Sequence, residues 1–537
     1  MFNNTKKIKI FNFSNNKWSE KDTMFILVLV LSVVSALAYM YYLYNGLGLA
    51  YNDARSHLDI GRRVIEGLKP GVAQLGSVWL PLTHFLMILT IWNDFMWHSG
   101  LAGAILSMFA FVGTGVLIYS FLRELSVGIV GRLVGVLIFV LNINILYLQS
   151  TAMTELILLA TMTAGAYYLL MWFKNDKLYY ILMSAFWIML ATLVRYDGWF
   201  LFLFAAVLVI LYIWKSDGFR KAEGLFILFC SLGGFGIVLW FMWNLLIFGD
   251  PLYFMFGPYS AHTQQEGLEA AGILATKGDW GFSAQMYLYA MAYNSGAFIM
   301  FLGFFGAIRI WFDHKITTAM KVSTLALLAP LFFNILALYL GHSVLFVAAL
   351  SGESWFNVRY GIMMMPSFAI FIGYLLDRTS RARWVIIAFL VFLTVFMFKS
   401  GDAVTIDDAL IGSSQKNVTE VSNYLRDNAT DNDGFILISV ASHDAIIFSS
   451  GLPMSKYIHE GTGRYYSEAI QEPDKWARWI VVRSNSDSDT TWTGIKDKEG
   501  FKHFELVDHY PFADIYELKS EYVPHLITEP IYEDEIK

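Results

Sequence analysis

The stretch "YNDARSHLDIGRRVIEGL", residues 51–68, directly follows an apolar run long enough to cross a membrane. Drawn as a helix at 100° per residue, it has one apolar stripe and one polar face. Asp53 and His57 fall within the apolar stripe, one turn apart. A carboxylate and an imidazole on the side that a helix buries indicate a functional site. The polar face is predicted to consist of Arg55, Asp59, Arg62, Arg63 and Glu66.

The composition indicates a membrane protein. The 537 residues are 56% hydrophobic, 17% aromatic and only 15% charged, far from the average of a soluble protein. A net charge of -6 gives no indication of a nucleic-acid partner. The single cysteine, Cys230, excludes a disulfide within the chain and a cysteine-based metal site. The N-terminus is too long and polar to begin a signal peptide, so we expect the first apolar run to be retained.

Eleven apolar segments approach the length of about 20 residues that a bilayer requires. They are residues 24–45, 100–121, 130–147, 155–172, 178–194, 198–215, 223–248, 284–308, 322–340, 358–376 and 384–399. A further stretch, "VWLPLTHFLMILTIWNDFMW" (78–97), either crosses the membrane or lies in its interface.

The distribution of basic residues decides between these alternatives. If 78–97 does not cross, the opposite side keeps only Arg55, Arg62, Arg63, Lys69, Arg195, Lys277 and Arg359 in its loops near the membrane. The side of the N-terminus then holds Lys6, Lys7, Lys9, Lys17, Lys21, Arg123, Arg132, Lys174, Lys177, Lys215, Arg220, Lys221, Arg309, Lys315, Lys321, Arg378, Arg381 and Arg383. We therefore predict eleven spans in a multi-pass protein of the cell membrane, with the N-terminus in the cytoplasm.

The predicted organisation has three parts. Residues 1–23 are a cytoplasmic N-terminus, 24–399 an α-helical polytopic transmembrane domain with a large first external loop (46–99), and 400–537 an external soluble domain. The last part contains short β-rich runs, "GFILISV", "WIVVRS", "HFELVDHY" and "ADIYELK", separated by helical or turn segments. This alternation is typical of a small α/β domain.

The same topology brings the unusual polar residues of the spans to the external face. Glu155 lies in "YLQSTAMTELIL", Arg195 and Asp197 in "LVRYDGWF", and Arg359 and Tyr360 in "SWFNVRYGIMMMP". Because an unpaired ionisable group at membrane depth is costly, these residues indicate function. Structural explanations remain open: the arginines could reach the interface, Asp197 could pair with Arg195, and Glu155 could complement a helix dipole.

The motifs, taken in order, resemble those of a known family. "NDARSHL", "PGVAQLGSVWLPLTH", "LQSTAMTE", "RYDGW" and "FNVRYG…P", within residues 24–400, are similar to the GT-C superfamily of integral-membrane glycosyltransferases. The most similar branch is the family 39 type, which includes protein O-mannosyltransferases and lipid A aminoarabinose transferases. The resemblance implies a GT-C-like transmembrane domain, a sugar donor attached to polyprenyl phosphate, and a catalytic acid in the first external loop. By motif that acid is Asp53.

The resemblance also implies roles for the other candidates. Asp53 is expected to deprotonate the acceptor, with His57 orienting it or contacting the sugar and Glu155 as a further catalytic candidate. The family often has an acid pair or an Arg-Glu dipeptide where this chain has "ND" (52–53) and "TE" (154–155). The residues expected to bind donor phosphate or substrate are Arg195, Asp197, Arg359, Tyr360 and, in the first external loop, His84.

The expected partners are a polyprenyl-phosphate sugar, an acceptor protein, lipid or glycan, and membrane lipids. Arginines could stabilise the leaving phosphate, so a metal is not required, and the sequence has no clear ligand spacing for one. Two other functions remain open. A transporter or lipid flippase would line its pathway with intramembrane charges, although no inverted repeat is visible. A non-catalytic sensor would recognise its ligand with the external domain.

Overall fold

The computed structural model describes residues 20–257, 260–270, 272–411, 418–429, 434–484, 486 and 489–530. Lys6, Lys7, Lys9 and Lys17, on which the predicted orientation partly depends, lie outside the described residues. The described part of the membrane region contains helices α1 (Glu20–Tyr44), α2 (Asn52–Arg63), α3 (Leu82–Met87), α4 (Asp94–His98), α5 (Leu101–Glu124), α6 (Ile129–Val140), α7 (Ile143–Leu148), α8 (Glu155–Asn175), α9 (Leu178–Thr192), α10 (Asp197–Asp217), α11 (Phe219–Gly233), α12 (Phe235–Phe248), α13 (Tyr253–Phe256), α14 (Ala261–Ala270), α15 (Trp280–Ser295), α16 (Ala297–Phe312), α17 (Thr318–Thr324), α18 (Ala329–Tyr339), α19 (Met365–Arg378) and α20 (Ala382–Ser400).

The remaining described chain mixes helices with a five-stranded sheet. Its elements are α21 (Val404–Ile411), α22 (Val418–Asn428), β1 (Phe435–Ile438), α23 (Val440–Ser450), β2 (Tyr457–Ile458), α24 (Arg464–Gln471), α25 (Pro473–Trp476), β3 (Ala477–Val482), α26 (Thr490–Ile495), β4 (Phe504–His509) and β5 (Asp514–Leu518). The strand order is β2-β1-β3-β5-β4. Strands β1, β2 and β3 are parallel, whereas β5 pairs antiparallel with both β3 and β4. The predicted fold class, a polytopic helical protein with a C-terminal α/β domain, is confirmed.

Seven helical segments of the described chain are long and apolar enough to span a membrane. Two bent pairs, α11–α12 at 43° and α15–α16 at 109°, raise the count to nine if each is one span. Two more predicted spans correspond to shorter apolar helices, α6 with 12 residues and α9 with 15. The predicted span 284–308 is broken near its middle, because Gly296 between α15 and α16 has φ +85°, which ends the first helix.

The first loop contains only short helices. Over residues 78–98, α3 has six residues and α4 has five, far fewer than a span requires. At the opposite end of the bundle, Glu20 in the first turn of α1 lies 3.5 Å from Arg123 at the end of α5 and 3.6 Å from Arg132 in α6. The start of α1 and the end of α5 therefore share one end of the bundle, and the loop between these helices lies at the other.

The C-terminal domain packs directly on the membrane region. One face of its sheet, with α22 and α23, belongs to the same apolar core as the transmembrane helices. The other face has a separate core with α24 and α26, in which Trp476 and Ile480 are buried. Because one core continues from the bundle into this domain, the folding free energies of the two parts are coupled.

Helix α2 is buried on both sides, which corrects one prediction. Ala54 and Leu58 of the apolar stripe are fully buried against the bundle, as expected. On the predicted polar face, however, Asp59 is 0% exposed and Arg63 only 8%. The reason is that α23 covers this face and supplies Asp444, which lies 2.5 Å from Arg63. Amphipathicity indicated a polar face but not the polar partner that covers it.

Candidate active site

Three carboxylates of the site lie at helix N-termini. Asp53 is in the first turn of α2, while Glu155 and Asp197 are the first residues of α8 and α10. Acidic side chains at these positions are stabilised by the positive end of the helix dipole. Arg359 lies in a 3₁₀ turn, Val358–Met364, that begins after Asn357 in the left-handed region at φ +54°. Asparagine is among the few non-glycine residues that adopt this conformation readily.

Arg359 is the centre of the cluster. Its Nη2 lies 2.5 Å from Asp53 Oδ2, and its Nε donates to Glu155 Oε1 at 3.1 Å. Its Nη1 lies 3.7 Å from Oδ2 of Asp408, an acid of α21. The guanidinium also stacks on the ring of Tyr51, with Cζ 4.9 Å from the ring centroid. One almost completely buried cation is thus surrounded by three carboxyl groups, with Asp53 and Glu155 in direct contact.

Arg195 is held more loosely. Its Nη1 lies 3.4 Å from Glu155 Oε1, and its Nε lies 3.5 Å from Asp197 Oδ2. Its guanidinium lies over the Tyr360 ring at 4.7 Å. Glu155 therefore bridges the two arginines through one oxygen, while its buried Oε2 has no hydrogen-bond partner among the described residues. The Arg195 contacts are long for charge-assisted hydrogen bonds, so this guanidinium has capacity for another anion.

His57 and His84 form a buried pair beside the charged cluster. His57 Nδ1 lies 2.8 Å from His84 Nε2, and the His57 ring lies 4.5 Å from the ring of Trp79. Burial, together with the positive charges of Arg359 and Arg195, lowers the pKa of His57 to about 3. Burial also lowers the pKa of His84 well below its usual value. Both imidazoles are therefore neutral at pH 7, and the described partner of Asp53 is Arg359 rather than His57.

The sequence predictions missed Asp408 and Tyr51. The hydroxyl of Tyr51 lies 3.0 Å from Asp408 Oδ2, and both side chains are buried. Asp408 belongs to the part of the chain predicted as the external domain, and its contact with Arg359 spans 49 positions of sequence. The available signal was weak: two adjacent acids in the otherwise largely apolar run "AVTIDDALI", shortly after the last predicted span. Tyr51 directly precedes the "ND" motif and could have been considered with it.

Access to the cluster differs between its members. The side chains of Asp53 and Arg195 are 33% and 22% exposed, whereas those of Glu155, Arg359 and Asp408 are nearly or completely buried. A molecule reaching the cluster therefore meets one carboxylate and one guanidinium first. Within the described residues, no group of three or more His, Cys, Asp or Glu side chains is arranged to hold a metal ion. Chemically, the arrangement can accept a proton at Asp53 and bind an anion beside it.

Comparison with known proteins rests on structure, since no protein-family model and no curated protein matches the sequence. ArnT from Cupriavidus metallidurans, solved with bound undecaprenyl phosphate, superposes with a TM-score of 0.56 at 11% identity, covering 94% of this chain and 99% of ArnT. The apo state of the same ArnT gives a TM-score of 0.52 at 9% identity with the same coverage. The oligosaccharyltransferase of Archaeoglobus fulgidus, in complex with Zn and sulfate, gives 0.49 at 11% identity, covering 89% of this chain and 71% of that chain.

ArnT is a lipid A aminoarabinose transferase of the GT-C superfamily. The superposition with ArnT covers 94% of this chain, so it includes both the membrane region and most of the C-terminal domain. The family resemblance that the motifs indicated is thus confirmed at the level of the fold. The chain has the fold of the GT-C superfamily of integral-membrane glycosyltransferases.

Proposed function

We propose that this protein is a membrane glycosyltransferase that moves a sugar from a polyprenyl-phosphate donor to an acceptor hydroxyl or amine on the external face. The observation that carries the proposal is the pairing of a partly exposed carboxylate, Asp53, with a buried guanidinium, Arg359, in a GT-C fold. The undecaprenyl phosphate bound to the ArnT structure supports a donor of this chemical class. The eleven-span topology with an external C-terminal domain belongs to the same proposal.

In the proposed reaction, Asp53 accepts the proton of the acceptor as the acceptor oxygen or nitrogen attacks the anomeric carbon. The bond between that carbon and the phosphate oxygen breaks, and its electron pair stays with the leaving polyprenyl phosphate. A guanidinium stabilises the charge that develops on the phosphate. Arg195 is the better placed of the two arginines for this contact, because it is more exposed and its present ion pairs are longer.

The remaining site residues have supporting roles in the proposal. Arg359 orients Asp53 and keeps positive charge behind it, while Glu155 holds both arginines in place. The Tyr360 ring stacks against the Arg195 guanidinium and helps to hold it in place. The neutral His57–His84 pair and the Trp79 ring form a polar edge beside an aromatic face, which suits contact with a sugar ring.

The test is release of polyprenyl phosphate from a lipid-linked sugar by the purified protein in detergent. We expect release, with transfer to an added acceptor, in the wild type and its loss in the Asp53→Asn variant. Reconstitution in vesicles distinguishes the transporter or flippase alternative, because that protein would move an intact lipid-linked sugar across the bilayer without cleaving it. Translocation without any cleavage would overturn the proposal.

A further inference from the structure

Helix α21 is the short helix that follows α20 and precedes the sheet. Its residue Thr405 is fully buried, and both its backbone N and its Oγ1 donate to Asn144 Oδ1, at 3.1 and 2.8 Å. Asn144 Nδ2 in turn donates to the carbonyl oxygen of Asn294 at 3.0 Å. Buried polar networks with satisfied partners fix a segment in one position. The start of α21 is therefore anchored inside the membrane region, next to the candidate active site.

The hydroxyl of Tyr51 lies between two acceptors on this segment. It is 2.8 Å from the backbone carbonyl oxygen of Thr405 and 3.0 Å from Asp408 Oδ2. A backbone carbonyl can only accept, and a tyrosine hydroxyl has one hydrogen to donate. When that hydrogen points to Thr405, the Tyr51 oxygen can only accept from Asp408. Both distances are then explained if the carboxyl group of Asp408 carries a proton.

The surroundings of Asp408 favour the protonated form for a second, independent reason. Arg359 is nearest to Asp53 and Glu155, at 2.5 and 3.1 Å, and its contact with Asp408 at 3.7 Å is too long for a hydrogen bond. Asp408 Oδ1 is buried and has no hydrogen-bond partner among the described residues. Burying a carboxylate with so few hydrogen bonds and ion pairs has a large desolvation cost, and protonation removes most of that cost.

We propose that Asp408 is a positioning residue that holds a proton at neutral pH and donates it in a hydrogen bond to Tyr51. Tyr51 is the N-cap residue that directly precedes α2, and its ring packs against the Arg359 guanidinium. The neutral acid thereby fixes both the helix that carries Asp53 and the arginine that pairs with it. Protonation also leaves three carboxylates, Asp53, Glu155 and Asp197, facing Arg195 and Arg359, so the cluster opposes an incoming anion less.

The effect on donor binding rests on the proposed function, whereas the proton itself can be detected without a substrate. Difference infrared spectra of wild type minus Asp408→Asn, recorded at neutral pH, should contain the carbonyl-stretch band of a protonated carboxylic acid. The subtraction isolates Asp408 from other protonated carboxyl groups. Asp407→Asn, which changes the adjacent and partly exposed acid, is the matched control and should give no such band. Absence of the band in the Asp408→Asn difference would overturn the proposal, whether or not the protein cleaves a lipid-linked sugar.

Two variants then test the positioning role. Asparagine keeps a donor for Tyr51, so Asp408→Asn should retain the wild-type melting temperature and a donor KM within about twofold of wild type. Alanine removes the donor, so Asp408→Ala should raise the donor KM on the order of tenfold, the equivalent of one lost hydrogen bond. If Asp408→Asn is as damaging as Asp408→Ala, the negative charge rather than the proton is needed, and the proposal fails.

Discussion

Replacing Asp53 with asparagine distinguishes a catalytic role of this side chain from a purely structural one. Asparagine keeps an oxygen for Arg359 and removes only the proton acceptor. Arg359 retains Glu155 at 3.1 Å, and the Asp53 side chain is already 33% exposed. Because Asp53 reaches solvent and Arg359 keeps Glu155, the change in the free energy of unfolding should be about 1 kcal/mol, below the roughly 3–5 kcal/mol expected when a fully buried pair is broken. Loss of a general base lowers a rate by about 10²- to 10⁴-fold, or roughly 3–5 kcal/mol of activation free energy.

The assay measures transfer from a lipid-linked sugar together with donor binding and thermal unfolding. We expect the Asp53→Asn variant to lose transfer by that factor while donor binding stays equal or becomes tighter, because one negative charge has left the site. Asp59→Asn, on the same helix, is the control. Burial and the neighbouring Asp444 carboxylate raise the pKa of Asp59 well above its usual value, so asparagine resembles the form already present. Transfer by Asp53→Asn at a near-normal rate, or equal damage from Asp59→Asn, would refute the reasoning.

Four further predictions concern the interface between α2 and α23, the pH dependence of stability, the metal and the topology. Asp444→Asn removes the negative charge that compensates the buried Arg63 and should cost about 3–5 kcal/mol in chemical denaturation, whereas Asp59→Asn should cost little. The pKa of Asp59 rises on folding, so the folded state binds this proton more tightly than the unfolded state does. The wild type should therefore lose stability as pH rises above the ordinary carboxyl range, and Asp59→Asn should reduce the slope of stability against pH. An unchanged slope would contradict this prediction. Transfer should persist in a chelator, because the arginines supply the positive charge; loss that a divalent cation restores would show that a metal is needed. In a Cys230→Ser background, a cysteine in place of Asp217 should resist labelling from outside intact cells, and strong labelling would reverse the topology.

Local sequence patterns were sufficient to locate four of the five described strands of the C-terminal domain. The four β-rich runs correspond to β1, β3, β4 and β5, because alternating or continuous β-branched and aromatic residues bounded by turn residues carry the signal within a few positions. The two-residue strand β2 was missed, since two residues cannot form a pattern. The break at Gly296 was missed as well, because a single glycine in an apolar run does not reveal whether the helix bends there.

The site was predictable only in part, because its contacts join distant positions. The predicted alternation of spans and loops was enough to place Asp53, Glu155, Arg195 and Arg359 at one end of the bundle. It could not show that Arg359 pairs with Asp53, which is 306 residues away in sequence. The place of Asp408 depends on how the chain turns back after α20, which no periodicity encodes. The polar face of α2 shows the same limit, since its partner Asp444 lies 381 positions further along the chain.

Helix α2 restricts how such a protein can be recombined. A chimera that joins this bundle to the C-terminal domain of another transferase would place an unmatched surface against α2, leaving the buried Arg63 without Asp444 and Asp59 with only its hydrogen bond from Trp97. We expect the exchange to succeed only if positions 59 and 63 are taken from the same protein as the imported domain. Because the same twelve residues also carry Asp53, the boundary of the exchangeable module runs through the middle of a helix.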